Sequence, residues 1–86
     1  MTDSLIEYPS EFPIKIMGES RDDFAQIMVE IVLRHAPDFV AAGIEMRPSK
    51  NGKYISLTCT INATSREQLD NLYRELSGHP LVKVVL

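Results

Sequence analysis

One cysteine, four glycines and a net charge of only −3 among 86 residues each remove a class of protein. A single cysteine leaves no internal disulfide, which fits a reducing compartment. Few glycines and prolines, no internal repeat and no low-complexity tract argue against a fibrous or disordered chain. No apolar run approaches the ~18 residues that a membrane span needs. The opening residues lack a basic stretch followed by an apolar segment, the mark of a secretory leader, so a cytoplasmic protein is expected. Nine Lys and Arg stand against twelve Asp and Glu, a balance that does not favour broad binding to nucleic acid or anionic membrane.

What remains, 44% hydrophobic and 24% charged residues, describes one compact domain. A chain this small buries about 60 to 65% of the surface exposed by its unfolded form, enough for a modest pocket but not for a deep catalytic cavity. Residues 1–11 mix Asp3, Glu7 and Glu11 with Leu5, Ile6 and Tyr8 around Pro9 and hold no sustained period. They read as a partly flexible acidic arm, with Tyr8 or Ile6 docking on a domain over residues 12–86.

Within that domain Phe12, Ile14 and Ile16 alternate with Pro13, Lys15 and Met17, the period of a half-buried strand ending at Gly18. Ser20 stands where a helix N-cap belongs, followed by Asp22 and Asp23 in a first turn, so a helix is expected over residues 21–35, closed by Pro37. A short strand over residues 43–48, with Ile44 and Met46 inward, leads to Asn51-Gly52, a pair suited to the positive φ angles of a tight hairpin. The third strand is the strongest signal: Ile55, Leu57, Cys59, Ile61 and Ala63 on one face, polar residues and Tyr54 on the other. Thr64 and Glu67 are spaced as a capping box, and Leu69, Leu72, Tyr73 and Leu76 follow at helical spacing until Gly78. Residues 81–86 are rich in β-branched side chains and predict a final strand with Val82 and Val84 inward.

The order βαββαβ and the right-handed crossover rule predict an α+β ferredoxin-like plait. Its four-stranded antiparallel sheet takes the order 4-1-3-2, with both helices on one face. The other face is left open, displaying Lys15, Met17, Glu45, Arg47, Tyr54, Ser56, Thr58, Thr60, Leu81, Lys83 and Val85. The first helix has a thin polar stripe, Gln26, Glu30 and Arg34, which leaves Val29 and Leu33 beside it as a candidate partner surface. The last strand, ending in Val84, Val85 and Leu86, offers a second, as an edge for strand addition.

Candidate chemistry is sparse. Cys59 sits inward on a central strand, His35 closes the first helix, and His79 lies in a turn with no further ligand at metal spacing. Asp22 and Asp23 are adjacent and point about 100° apart on a helix, so they form no acid–base pair. The loop before the first helix, with Gly18, Glu19, Ser20 and Asp23, is the candidate ligand-binding spot: a glycine admits a ligand to the backbone and the helix amides beyond could hold an anion. Its own carboxylates oppose that. The hairpin cations Arg47, Lys50 and Lys53 beside Tyr54 suggest single-stranded nucleic acid, but sheets that bind RNA stack two or three bases on aromatics and this face has one.

Several segments together resemble one family: residues 12–18 (FPIKIMG), 34–37 (RHAP), Pro48-Ser49 leading to residues 52–56 (GKYIS), 61–64 (INAT), 72–76 (LYREL) and 82–86 (VKVVL). In this order and length they look like the YbeD-like family of small, uncharacterised bacterial cytosolic proteins. The resemblance covers residues 11–86. It implies the same plait, similar in shape to the ACT domains that act as small-molecule regulatory modules, and it implies no catalytic residues; the residues themselves suggest no cofactor or metal.

The expected function is a non-enzymatic regulatory or adaptor domain that binds a protein partner or forms a homodimer. A small-metabolite sensor on residues 18–23 is the alternative, and nucleic-acid binding on the open sheet face comes third.

Overall fold

The computed structural model describes residues 7–86. Of the arm expected over residues 1–11, residues 1–6, including the docking of Ile6, lie outside the described residues, and Ser10 and Glu11 belong to the first strand. Tyr8 is half-buried and packs on the core. The elements run β1 (Ser10–Glu19), α1 (Phe24–His35), one 3-10 turn (Ala41–Gly43), β2 (Glu45–Pro48), β3 (Tyr54–Ala63), α2 (Arg66–Ser77) and β4 (Val82–Val85). They form a four-stranded antiparallel sheet in the order β2-β3-β1-β4, the expected plait. No helix among the described residues is long and apolar enough to cross a membrane.

Alternation in β1 and β3 sets the core. Ile14 lies opposite Cys59, Ile16 opposite Leu57 and Phe12 opposite Ile61, so the inward sets meet on one face. That face is covered by Phe24, Met28, Ile31 and Val32 of α1 and by Leu69, Leu72 and Leu76 of α2, all buried. β1 starts at Ser10, two residues earlier than the alternation of large apolar side chains predicts, because Ser10 and Glu11 still find partners in Ala63 and Asn62.

Several local expectations are corrected. The first helix begins at Phe24, not at residue 21: Ser20 is no cap, because its N–H donates to the Lys53 carbonyl while Phe24 N–H closes a turn on Arg21. Asp23 is the N-cap residue by position, yet its carboxylate is held by Arg21 through two hydrogen bonds of 3.1 and 3.0 Å instead of capping the helix. The second helix is capped one residue later than expected. Ser65 Oγ accepts from Gln68 N–H at 3.1 Å, and the Gln68 side chain accepts from Thr64 N–H at 2.7 Å, a reciprocal arrangement worth about 1 kcal/mol. In the hairpin only Gly52 has a positive φ, +73°. Gly52 N–H closes a turn on the Ser49 carbonyl, and Asn51 Oδ1 accepts from Lys53 N–H instead of the residue itself turning left-handed.

Two inward assignments fail. Met46 lies opposite buried Leu57 and so turns to the helix layer, but it is 55% exposed because edge strand β2 extends beyond the helical cover. In β4 the phase slips: Met17 pairs with Val84 but Gly18 with Val82, so Lys83 is an extra residue in a bulge. Val85 therefore pairs with Ile16 and packs inward with Val82 and Leu81, while Val84 is 43% exposed on the open face.

Candidate functional site

The loop over residues 18–23 sits at the start of α1. Gly18 is buried, and a Cβ there would lie 2.3 Å from the Leu81 carbonyl oxygen and 2.4 Å from Phe24 Cε1. The missing side chain thus makes room for a ring and a backbone carbonyl, which occupy the space an approaching ligand would need. Glu19 and Ser20 are exposed, Asp22 lies in the turn, and Asp23 is held by Arg21. An anion at the α1 amides would meet these carboxylates first.

The proposed partner-surface residues separate in space and in exposure. Val29 is half-buried and packs against the core, whereas Leu33 is 37% exposed. Val85 faces inward. Leu86 is 66% exposed and exchanges two backbone hydrogen bonds with Lys15, at 3.1 and 2.8 Å, which extends the β1–β4 ladder. Sequence reasoning missed Val40, Met46 and Val84 as exposed apolar groups. The shortness of the segment between Gly43 and the hairpin pointed to an edge position for Met46, but no periodic signal marks the β4 bulge.

A second concave region lies between the end of α1 and the start of α2. It is an open cleft of about 540 Å³ lined by Arg34, His35, Asp38, Ser65, Gln68 and Asn71 among others. His35 Nε2 lies 2.7 Å from Glu75 Oε1, and the other Glu75 oxygen accepts from Arg34. Gln68 Nε2 donates to the His35 carbonyl at 2.8 Å. These bonds tie the two helices together. The two hydroxyls on this rim are both engaged with Gln68: Ser65 Oγ caps α2, and Thr64 Oγ1 donates to the Gln68 side-chain oxygen at 3.2 Å. His79 Nδ1 accepts from Leu81 N–H within its own turn. Among the described residues no three His, Cys, Asp or Glu side chains are grouped to hold a metal ion.

Cys59 is fully buried, and burial pushes its thiol from the ordinary 9.0 up to about 11. Two outcomes are expected. Alkylation near pH 8 will be negligible in the folded protein and will follow urea unfolding. Folding also favours the protonated thiol, so its contribution to stability is full below pH 9.0 and is lost as the pH rises through about 11. Rapid labelling without denaturant would contradict both.

The open sheet face carries a shallow hollow of about 290 Å³ among Met17, Tyr54, Lys83 and Val84. Lys53 Nζ stands 5.6 Å from the centre of the Tyr54 ring. Ser56 is nearly buried beside this hollow and its hydroxyl donates to the Arg47 carbonyl at 3.4 Å.

Comparison with known proteins places this geometry. The model of the family described as "Protein of unknown function (DUF493)" matches residues 3–86. A UPF0250 protein of Bordetella pertussis is 61% identical over 84 residues, which are 98% of this chain and 92% of that protein. A UPF0250 protein of Nitrosomonas europaea is 57% identical over 84 residues, 98% of this chain and 97% of that protein. Among solved structures, protein HP0495 from H. pylori superposes with a TM-score of 0.72 at 15% identity, covering 94% of this chain and 85% of that one. The ACT domain from the GTP pyrophosphokinase of Chlorobium tepidum superposes at 0.63 with 16% identity, covering 90% and 97%. At such identities the two structures establish the ferredoxin-like, ACT-like fold and nothing finer.

Proposed function

The chain belongs to the DUF493 family, and from that premise and the placement of its exposed apolar groups we propose a non-enzymatic regulatory or adaptor domain that binds protein, either a partner or a second copy of itself. One observation carries the reading. Among the described residues five large apolar side chains are exposed: Leu33 on α1, Val40 in the connection after it, Met46 on edge strand β2, and Val84 and Leu86 at the opposite edge, β4. Three of the five, Met46, Val84 and Leu86, stand at the two open sheet edges, which suits association, because an edge also offers unpaired backbone donors and acceptors. β2 is the poorer edge for strand addition, since Pro48 brings no N–H. β4 has no proline. The likeness to an ACT domain supports a regulatory role by analogy of fold alone. A metabolite sensor built on residues 18–23 is the weaker reading, because Phe24 and Leu81 fill the space beside Gly18.

Sedimentation across a wide concentration range tests it, with two double variants, Leu33→Glu/Met46→Glu and Val84→Glu/Leu86→Glu. The wild type is expected to gain mass with concentration, or to retain a partner from its own lysate, and one of the two variants to abolish this. All four positions are at least one-third exposed, so the variants are expected to fold. A monomer at every concentration that also captures no partner would refute the proposal, and capture that neither variant changes would refute the two edges as its surface.

A further inference from the structure

The cations of this chain divide by location. Among the arginines on the helix side, Arg21, Arg34 and Arg66 pair with Asp23, Glu75 and Asp70, and Arg74 donates to Asn71. All four lysines lie elsewhere, on the open sheet face or its hairpin, together with Arg47. Among the described residues none of these five has a carboxylate within ion-pair distance. Arg74 on α2, whose partner is a neutral amide, is the exception on the helix side, so in a chain of net charge −3 five of the six cations without a carboxylate partner among the described residues gather on one side.

The register shows what that charge surrounds. One row across the open face reads Arg47, Ser56, Met17, Val84, and the next reads Glu45, Thr58, Lys15, Leu86. The bulge at Lys83 turns Val84 outward, so the hollow at Met17, Tyr54 and Val84 has an apolar floor edged by Lys83, with Lys53 beside the Tyr54 ring and Arg47 further along the same row. Three carboxylates also lie on this face, at its margins: Glu11 and Glu19 at the two ends of β1 and Glu45 on edge strand β2. The face therefore combines apolar seats with spaced positive charge.

Resting on the protein-binding reading above, we propose that the open sheet face receives an acidic segment of another protein, with one or two apolar side chains seated in the Met17–Tyr54–Val84 hollow and carboxylates on Lys15, Lys83, Lys53 and Arg47. A peptide fits this face better than nucleic acid does. Single strands bound on such sheets stack successive bases on aromatic rings, and Tyr54 is the one ring displayed. A phosphate chain also carries charge at every step and would cross Glu19 or Glu45, whereas a peptide can place neutral residues opposite them. Exposed charge pairs are individually weak, so the apolar seats supply the affinity and the cations the selection.

The test is selection of a displayed library of random peptides, about 12 residues long so as to span one strand, on the immobilised full chain. Enriched sequences are expected to combine Asp and Glu in excess with Leu, Ile or Phe. One of them, made synthetically, is expected to shift the amide signals of Lys15, Met17, Tyr54 and Val84. It should bind at least about tenfold more weakly to Lys15→Glu/Lys83→Glu, and more weakly again as salt rises from about 0.05 to about 0.5 M. Both substituted residues are exposed, and an otherwise unchanged amide spectrum verifies folding. Enrichment without acidic excess, no enrichment, or acidic peptides that ignore the charge reversal would each overturn the inference. So would tight, salt-steep binding of oligothymidylate in place of peptide. Non-acidic peptides abolished by one of the edge variants would sink this inference alone and leave the adaptor reading standing.

Discussion

Gly18→Ala is expected to cost about 3 kcal/mol of unfolding free energy, the upper end of what overpacking does. The new methyl carbon would stand 2.3 Å from the Leu81 carbonyl oxygen and 2.4 Å from Phe24 Cε1, where real contacts need more than 3 Å. Neither neighbour can yield cheaply. The Leu81 carbonyl is backbone leading into β4, and the Phe24 ring is fully buried at the start of α1. Against a total stability on the order of 5 to 15 kcal/mol for a small domain, such a loss removes a large fraction. Urea unfolding measures it: the midpoint should fall by about 2 to 3 M at an unchanged slope near 1 kcal/mol per molar. A loss below about 1 kcal/mol would mean that the β1–α1 junction relaxes freely, and the close packing claimed for it would be wrong.

Phe24→Ala is expected to cost still more, about 3 to 5 kcal/mol, because it removes a fully buried ring and leaves a cavity between α1 and the sheet. The two sites touch, so their effects should not add. In the pair Gly18→Ala and Phe24→Leu, the shorter side chain relieves one of the two clashes while the Leu81 carbonyl keeps the other. The double variant should therefore be more stable than the sum of the singles predicts, with a coupling of about 0.5 to 3 kcal/mol. Strict additivity would place the strain of Gly18→Ala on the carbonyl alone.

These two residues also mark how far a candidate site can be read from sequence. A glycine before a helix suggests an open backbone ready for a ligand, yet here the same glycine admits Phe24 from six residues further along the chain and Leu81 from the far end of the chain. Periodicity describes which side of its own element a residue occupies. It does not say what comes to lie against a glycine.

The plait itself was legible because its two long strands, β1 and β3, alternate without interruption and its helices repeat their apolar residues at helical spacing. Alternating side chains must choose a face, and one buried face fixes the register. The family resemblance in residues 11–86 pointed to the same fold, and the family match over residues 3–86 agrees with it.

Two things were decided only by the tertiary structure, and both concern the edges. β2 has just four residues and lies beyond the helices, so Met46 obeys its alternation and still ends in solvent. β4 takes one extra residue at Lys83, which exchanges the faces of Val84 and Val85 and creates the open-face hollow. The sequence by itself determined the elements, their order and the central core, because those depend on local period and on apolar burial. Edge exposure and the bulge depend on what the neighbouring strand or helix leaves uncovered, and no single segment of chain carries that information.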